Sequence, residues 1–226
     1  SPVVMKLDEF SELKATLSDT KSTENLNTSL QKVCPFSDQS TNEDEIGKEL
    51  FGKSATYNSK IGYSISIYAG HVKEQDFRKN GSSGGMGTWI ATSLFNRDLI
   101  DGVIHIHSRI PTAEDPRIFH YQLSSSLEEI TNSAKSRYYP IEISEMIHLI
   151  REREARYLIV GIPCFIKSVR LLMKQDEILN QRIKFCIGLV CGHLKSARFA
   201  DMLAWQTGVI PNTLQSIDFR TKLENY

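Results

Sequence analysis

The sequence predicts an α/β domain, with a mixed or mostly parallel sheet flanked by helices, behind an irregular N-terminal extension. Short runs rich in β-branched and apolar residues recur along the chain. Segments with a single apolar face at helical spacing lie between them, and both patterns begin only after a polar first stretch. Strands separated by helices of roughly ten to fifteen residues mark βαβ crossovers, which bring strands into one sheet.

Residues 15–45 are rich in Ser, Thr, Asn, Asp and Glu, with few large apolar groups apart from Leu26, Leu30 and Val33. That composition suits a connecting region with one short helix. We therefore divide the chain into an extension, 1–45, and a domain, 46–226. In the domain, Tyr63, Ile65 and Ile67 alternate with serines, the period-two pattern of a strand with one buried face. Gly102-Val103-Ile104-His105-Ile106 is a β-branched run, and Tyr157-Leu158-Ile159-Val160 and Ile183-Lys184-Phe185-Cys186-Ile187 read as buried strands. Helical faces are formed by Met86, Trp89, Ile90 and Ser93; by Ile143, Met146, Ile147 and Ile150; by Phe165, Val169 and Leu172; and by Phe199, Met202 and Leu203.

A chain of 226 residues, 40% apolar and 24% charged, buries a core without staples. No apolar run approaches the ~20 residues that span a bilayer. The first residues mix Lys6, Asp8, Glu9 and Lys14 with apolar groups, unlike a secretory signal. The expectation is a cytoplasmic protein without membrane contact. Lys plus Arg and Asp plus Glu number 27 each, which gives no net attraction to nucleic acid. Cys34, Cys164, Cys186 and Cys191 are too sparse for a disulfide framework and read as thiols or metal ligands.

The sharpest local feature is Gly81-Ser82-Ser83-Gly84-Gly85-Met86-Gly87-Thr88, ahead of a helix that starts near Met86. Glycines let backbone N–H groups converge on an anion, the hydroxyls add donors, and the helix dipole favours negative charge there. The pattern is neither a Walker loop nor a dinucleotide fingerprint; a helix-capping loop has the same composition. Lys135-Ser136-Arg137-Tyr138 sets two cations beside aromatics, able to meet diphosphate or a ring face, or to form a solvated turn. Gly161-Ile162-Pro163-Cys164 follows a strand and opens a helix, where ligands bind in α/β folds and where a thiol pKa falls. Gly188-Leu189-Val190-Cys191 repeats that arrangement after the next strand, so Cys164 and Cys191 would emerge on one sheet edge. Cys186 fits a buried small hydrophobe. His105 and His107 share one strand face as a two-ligand arm without an adjacent third ligand.

In order along the chain stand Val33-Cys34-Pro35-Phe36, Tyr68-Ala69-Gly70-His71-Val72, Arg78 with the 81–85 loop, Leu99-Ile100-Asp101-Gly102-Val103-Ile104, Ser136-Arg137-Tyr138, Gly161-Ile162-Pro163-Cys164 and Gly188-Leu189-Val190-Cys191. Together they resemble the beta-subunit family of deazaflavin-coenzyme (coenzyme F420) hydrogenases and dehydrogenases. The resemblance implies a flavin-binding α/β domain in which FAD exchanges hydride with a deazaflavin or nicotinamide carrier and passes electrons through iron-sulfur clusters to a redox partner protein. It implies cofactor contacts at Arg78, Gly81, Ser82, Ser83, Gly84, Gly85, Thr88, Lys135, Ser136, Arg137, Tyr138, Gly161, Pro163 and Cys164. Lys135 and Cys164 would be the reacting residues, and Cys34, Cys164 and Cys191 the candidate iron-sulfur ligands. Family members carry a ferredoxin-like cysteine run ahead of the flavin domain; Glu24, Asn27 and Leu30 stand at those positions here, so 1–45 reads as a degenerate ferredoxin-like remnant. Two other readings follow from the same residues. One is an inert subunit or fragment of this fold needing a partner for cofactor assembly; a homo-oligomer is compatible with this and with the enzyme reading. The other is a thiol enzyme with Cys164 as nucleophile and His193 as base.

Overall fold

A computed structural model of the chain describes residues 3–17, 24–210 and 213–222, with the side chains of 24–28 outside the description. Two of the three positions expected to replace cluster cysteines, Glu24 and Asn27, have their side chains outside the described set, and the third, Leu30, is exposed.

The N-terminal region is more regular than its composition suggests. Strands β1 (Val3–Leu7) and β2 (Leu13–Leu17) form an antiparallel hairpin. Helix α1 (Glu24–Val33) packs against a later helix, and α2 (Glu43–Phe51) begins at a reciprocal capping box between Asn42 and Glu45. The short strands β3 (Thr56–Asn58) and β4 (Gly62–Ser64) pair next. The alternating run 63–67 was expected to be a strand, yet it pairs only to Ser64. Its three-residue partner offers no further ladder, and Ile65, Ile67 and Tyr68 remain 65%, 71% and 88% exposed.

A single helical turn, α3 (Phe77–Asn80), and the glycine loop lead into α4 (Met86–Asn96). The main sheet then begins with β5 (Gly102–Ser108) and β6 (Phe119–Ser124), followed by α5 (Leu127–Asn132) and α6 (Ser144–Glu152). Strand β7 (Tyr157–Gly161), α7 (Pro163–Gln175), α8 (Glu177–Arg182) and β8 (Ile183–Gly188) complete a crossover, and α9 (Ala197–Gln206) closes the order. The sheet runs β6-β5-β7-β8, with β5 and β6 antiparallel and the other two pairings parallel, which is the mixed sheet expected. Strand β6 was not foreseen, although Phe119, Tyr121 and Leu123 alternate with polar residues.

Both faces of the sheet are covered, as a parallel crossover requires. Tyr157, Leu158 and Ile159 of β7 are wholly buried, their side chains alternating between two cores. The larger core joins Ile104, Phe119, Tyr121 and Ile159 to Ile147 and Ile150 of α6 and Val169 of α7. The smaller places Val103 and Leu158 against Ala91 of α4 and Ile130 of α5. Because β5 alternates, His105 and His107 project on the same side as Val103, toward α4 and α5. Arg156 ties the edge of this layer together through its bonds to Asp98 and Asp101; its guanidinium holds the Asp101 carboxyl down to about 2. The N-terminal elements are docked on the domain: Ala197 donates its N–H to the Ser11 carbonyl at 3.0 Å, and Lys167 pairs with Glu43 at 3.3 Å. Among the described residues no helix is long and apolar enough to cross a membrane.

Candidate functional site

A cleft of about 330 Å³ opens on the α4 side of the sheet. The glycine loop and the first turn of α4 form one wall, residues 133–136 the opposite wall, and Val103, His105, Ile106, Val160 and Leu189 its base and far end. The sequence-selected residues Gly81, Ser82, Ser83, Gly84, Gly85, Thr88, Lys135 and Ser136 all line it. The two walls are bonded directly: the Ser136 N–H donates to Ser82 Oγ at 2.7 Å. That leaves the Ser82 hydroxyl proton available to a ligand.

The glycines have distinct causes. Gly85, at φ +79°, is the N-cap of α4 and lies in the left-handed region; a Cβ there would fall 2.5 Å from the Phe77 carbonyl. A Cβ on Gly84 would meet the Gly70 carbonyl at 3.1 Å, and Gly84 O accepts the Val72 N–H at 2.9 Å. These two glycines are therefore required by the shape of the loop itself. Gly87 differs. It sits inside a helix, where glycine costs roughly 0.5–1 kcal/mol relative to alanine, yet its Cβ position is open, with only Leu189 Cδ2 within 4 Å at 3.8 Å. Neither folding nor packing demands glycine there, but close approach of a ligand to the start of α4 would. No side chain caps that helix start, so its first N–H groups are left for a ligand.

Two lysines stand beside the loop. Lys222 donates to the carbonyls of Arg78 and, at 2.7 Å, Ser83. Its pKa is lowered by partial burial and by the neighbouring cations Arg78 and Lys135. Lys135 is paired at 3.1 Å with Asp218. Lys222 carried no motif, and only the folding of residues 216–222 back onto the loop reveals it.

The remaining expected residues lie elsewhere. Arg137 faces an adjoining cleft of about 450 Å³ that shares Ala134 and Lys135 with the first, and its guanidinium lies 5.1 Å from the Phe119 ring centroid. Tyr138 packs edge-on against Phe219 and does not line either cleft. At the β7–α7 junction the space beside Gly161 is taken by the Tyr121 hydroxyl and by Phe165 and Ile166. Gly161, Pro163 and Cys164 line neither cleft; their neighbour Val160 does. The Cys164 thiol was expected to be acidified. Instead its pKa is raised, chiefly by burial and further by Cys191, against the lowering effect of nearby backbone N–H groups. No hydrogen bond joins Cys164 to His193 among the described residues, so the expected thiol–imidazole pair is not formed. Nor do Cys34, Cys164 and Cys191 gather: among the described residues no group of three or more His, Cys, Asp or Glu could hold a metal ion.

One constellation reads in the sequence only as a metal arm. His105 and His107 do share a strand face, with Nε2 atoms 3.0 Å apart, and both bond to Ser124 Oγ, at 2.8 and 2.9 Å. Ser133 Oγ lies over the face of the His107 ring, 2.8 Å from Nδ1 and 3.3 Å from Nε2. Burial pushes the two imidazoles down to about 3 and about 4, so both are neutral near pH 7. Alternation on β5 was legible in the sequence; the two serines come from β6 and from the segment after α5.

Residues 67–148 match the model of the N-terminal part of the coenzyme F420 hydrogenase/dehydrogenase beta subunit, and residues 154–226 that of its C-terminal part, together more than half of the chain. Among solved structures, the chain is similar to one in the xenon-derivatised F420-reducing NiFe hydrogenase complex from Methanosarcina barkeri, with 18% identity and a TM-score of 0.50. The match covers 59% of this chain and 46% of that one, so it spans less than half of the hydrogenase chain and bears on the fold. No curated protein matches the sequence.

Proposed function

From the fact that the chain belongs to the coenzyme F420 hydrogenase/dehydrogenase beta-subunit family, whose work is redox electron transfer, we propose that it is a flavin-dependent oxidoreductase module. It holds FAD in the cleft between the glycine loop and residues 133–136, and moves hydride and electrons between a deazaflavin- or nicotinamide-type carrier and a partner protein. Bound there, a flavin supplies two-electron exchange on one side and one-electron exchange on the other.

The observation that carries this reading is the start of α4: an uncapped helix N-terminus and an open Gly87 face one cleft, which Lys135 also lines, with Arg78 and Lys222 nearby. Backbone N–H groups of residues 86–88 with the hydroxyls of Ser82 and Thr88 would hold a phosphate, while Arg78, Lys135 and Lys222 offset its charge. The apolar side chains of Ala91, Val103, Ile130 and Leu189 would shelter a ring from water. The cysteines do not fit a cluster, so no electron step is assigned to one within the described residues.

The test is an anaerobic absorption spectrum of protein incubated with FAD and freed of excess. Retained flavin bands that bleach on adding reduced carrier are expected, and a colourless protein overturns the reading. The inert-subunit reading is favoured by one observation. Beside the cleft-lining residues Gly70 and Leu189, Ile67, Tyr68 and Val190 are 71%, 88% and 102% exposed, as if a partner covered them. On that reading FAD is retained only when the partner subunit is added.

A further inference from the structure

Lys135 stands on the partition between the two clefts and lines both. Its ammonium is engaged on the side of residues 216–222, where it pairs with Asp218 Oδ2 at 3.1 Å and donates to the Arg220 carbonyl at 3.3 Å. The cation that a phosphate at the start of α4 would recruit is thus already held by a carboxylate.

That carboxylate is fixed independently of the lysine. Asp218 Oδ1 accepts the Arg220 N–H at 3.0 Å and Oδ2 the Thr221 hydroxyl at 3.2 Å, an aspartate turn closed within its own segment. The next residue, Phe219, packs edge-on against Tyr138 and stacks on Phe199, and Lys222 bonds the glycine loop through the carbonyls of Arg78 and Ser83. Burial raises the Asp218 pKa, but the Arg220 N–H, Lys135 and the Thr221 hydroxyl outweigh it, and the group stays ionised at pH 7.

The pair itself is weak enough to exchange. Its side chains are 19% and 41% exposed, and ion pairs in contact with water contribute little net stability. A phosphate brings more charge and more acceptor oxygens than a carboxylate, and at a helix start it gains backbone N–H groups as well. The displaced carboxylate still faces a cation. Arg137 lines the same cleft as Asp218, its Nε has no partner, and Asp218 is the anion whose field reaches it.

We propose that Asp218 is a built-in competitor for the phosphate site: it occupies Lys135 until a phosphate-bearing ligand in the glycine-loop cleft takes the ammonium away. The exchange is one of ion partners, without a covalent step. Lys135 swings from Asp218 to the phosphate on its flexible stem, and Asp218 is left to Arg137. The ligand's identity rests on the FAD reading, whereas the competition for Lys135 requires only a phosphate.

Calorimetric titration of FAD into wild-type protein, Asp218→Asn, Lys135→Gln and the double variant tests this. Asparagine keeps an oxygen to accept the Arg220 N–H, so the turn is retained. Asp218→Asn should bind FAD about fivefold more tightly than wild type, the scale of a partly exposed ion pair, and the gain should vanish where Lys135 is replaced. Unchanged or weaker binding by Asp218→Asn overturns the proposal. So does an equal gain in the Lys135→Gln background, because a general effect of charge would not depend on that lysine. Failure of wild type and Asp218→Asn alike to bind FAD overturns the functional proposal instead, and inorganic pyrophosphate then decides the competition with the same four proteins. A gain that depends on Lys135 upholds it; equal pyrophosphate affinity in wild type and Asp218→Asn, or no binding by either, overturns it.

Discussion

Two turns into helices were candidate sites in the sequence, and the structure separates them. At the start of α4 the helix is uncapped, a glycine in its first turn has an open Cβ direction, and a cleft lies in front. At the start of α7, Pro163 occupies the first turn, the space beside Gly161 is filled by Tyr121, Phe165 and Ile166, and the thiol is made less acidic rather than more. Both are rich in glycine, yet one glycine leaves room and the other is needed because there is none. Composition at a helix start therefore identifies a candidate, and the space in front of it decides whether a ligand can reach.

The largest expected effect breaks the α4 side at its hinge. Gly85→Val forces a β-branched residue into φ +79° and against the Phe77 backbone, and should cost about 3 kcal/mol, read as a lowered urea midpoint together with lost FAD binding. Next is the acid response of the buried imidazoles on this side. Their folded pKa values lie below the ordinary 6.5, so the unfolded chain takes up protons first. Their contribution to stability is complete above pH 6.5 and is lost as pH falls toward 4 and then 3, whereas Asp101, lowered from the ordinary 3.8 to about 2, adds its own loss only below about pH 4. Urea titrations should show a loss of about 3 kcal/mol between pH 6.5 and 5, roughly halved in His107→Phe.

On the α7 side the effects should be smaller and should spare the ligand. Gly161→Ala sets a methyl 2.9 Å from the Tyr121 hydroxyl and 3.3 Å from Phe165 Cβ, a destabilisation of about 1 kcal/mol with FAD affinity within twofold of wild type. Smallest of all, Cys164→Ala should leave FAD retention and the thermal midpoint nearly unchanged. A large loss of flavin in either variant would return the α7 junction to the site and undo the contrast.

The sheet was legible because strands buried on both faces, such as 157–160, carry continuous apolar runs, and the helices because their apolar faces repeat at a helical period. Strand 63–67 misled because alternation reports a half-buried strand only where a long enough partner exists, and β3 has three residues. The cleft loop was legible as glycines and hydroxyls ahead of a helix. What escaped was everything fixed by tertiary position: Lys222, brought to the loop from far along the chain, and Ser124, whose hydroxyl bonds both histidines of β5. The expected acidity of Cys164 failed for the same reason, since a helix start lowers a thiol pKa only when burial does not outweigh it.

The central claim is that the space in front of Gly87 is where FAD sits, and the direct measurement is calorimetric titration of FAD into wild-type protein and Gly87→Leu side by side. The variant should fold with equal or slightly higher stability, because it removes a helical glycine whose Cβ position is open, and should bind FAD at least tenfold more weakly. Equal FAD affinity in a folded Gly87→Leu protein would contradict the account and place the flavin elsewhere.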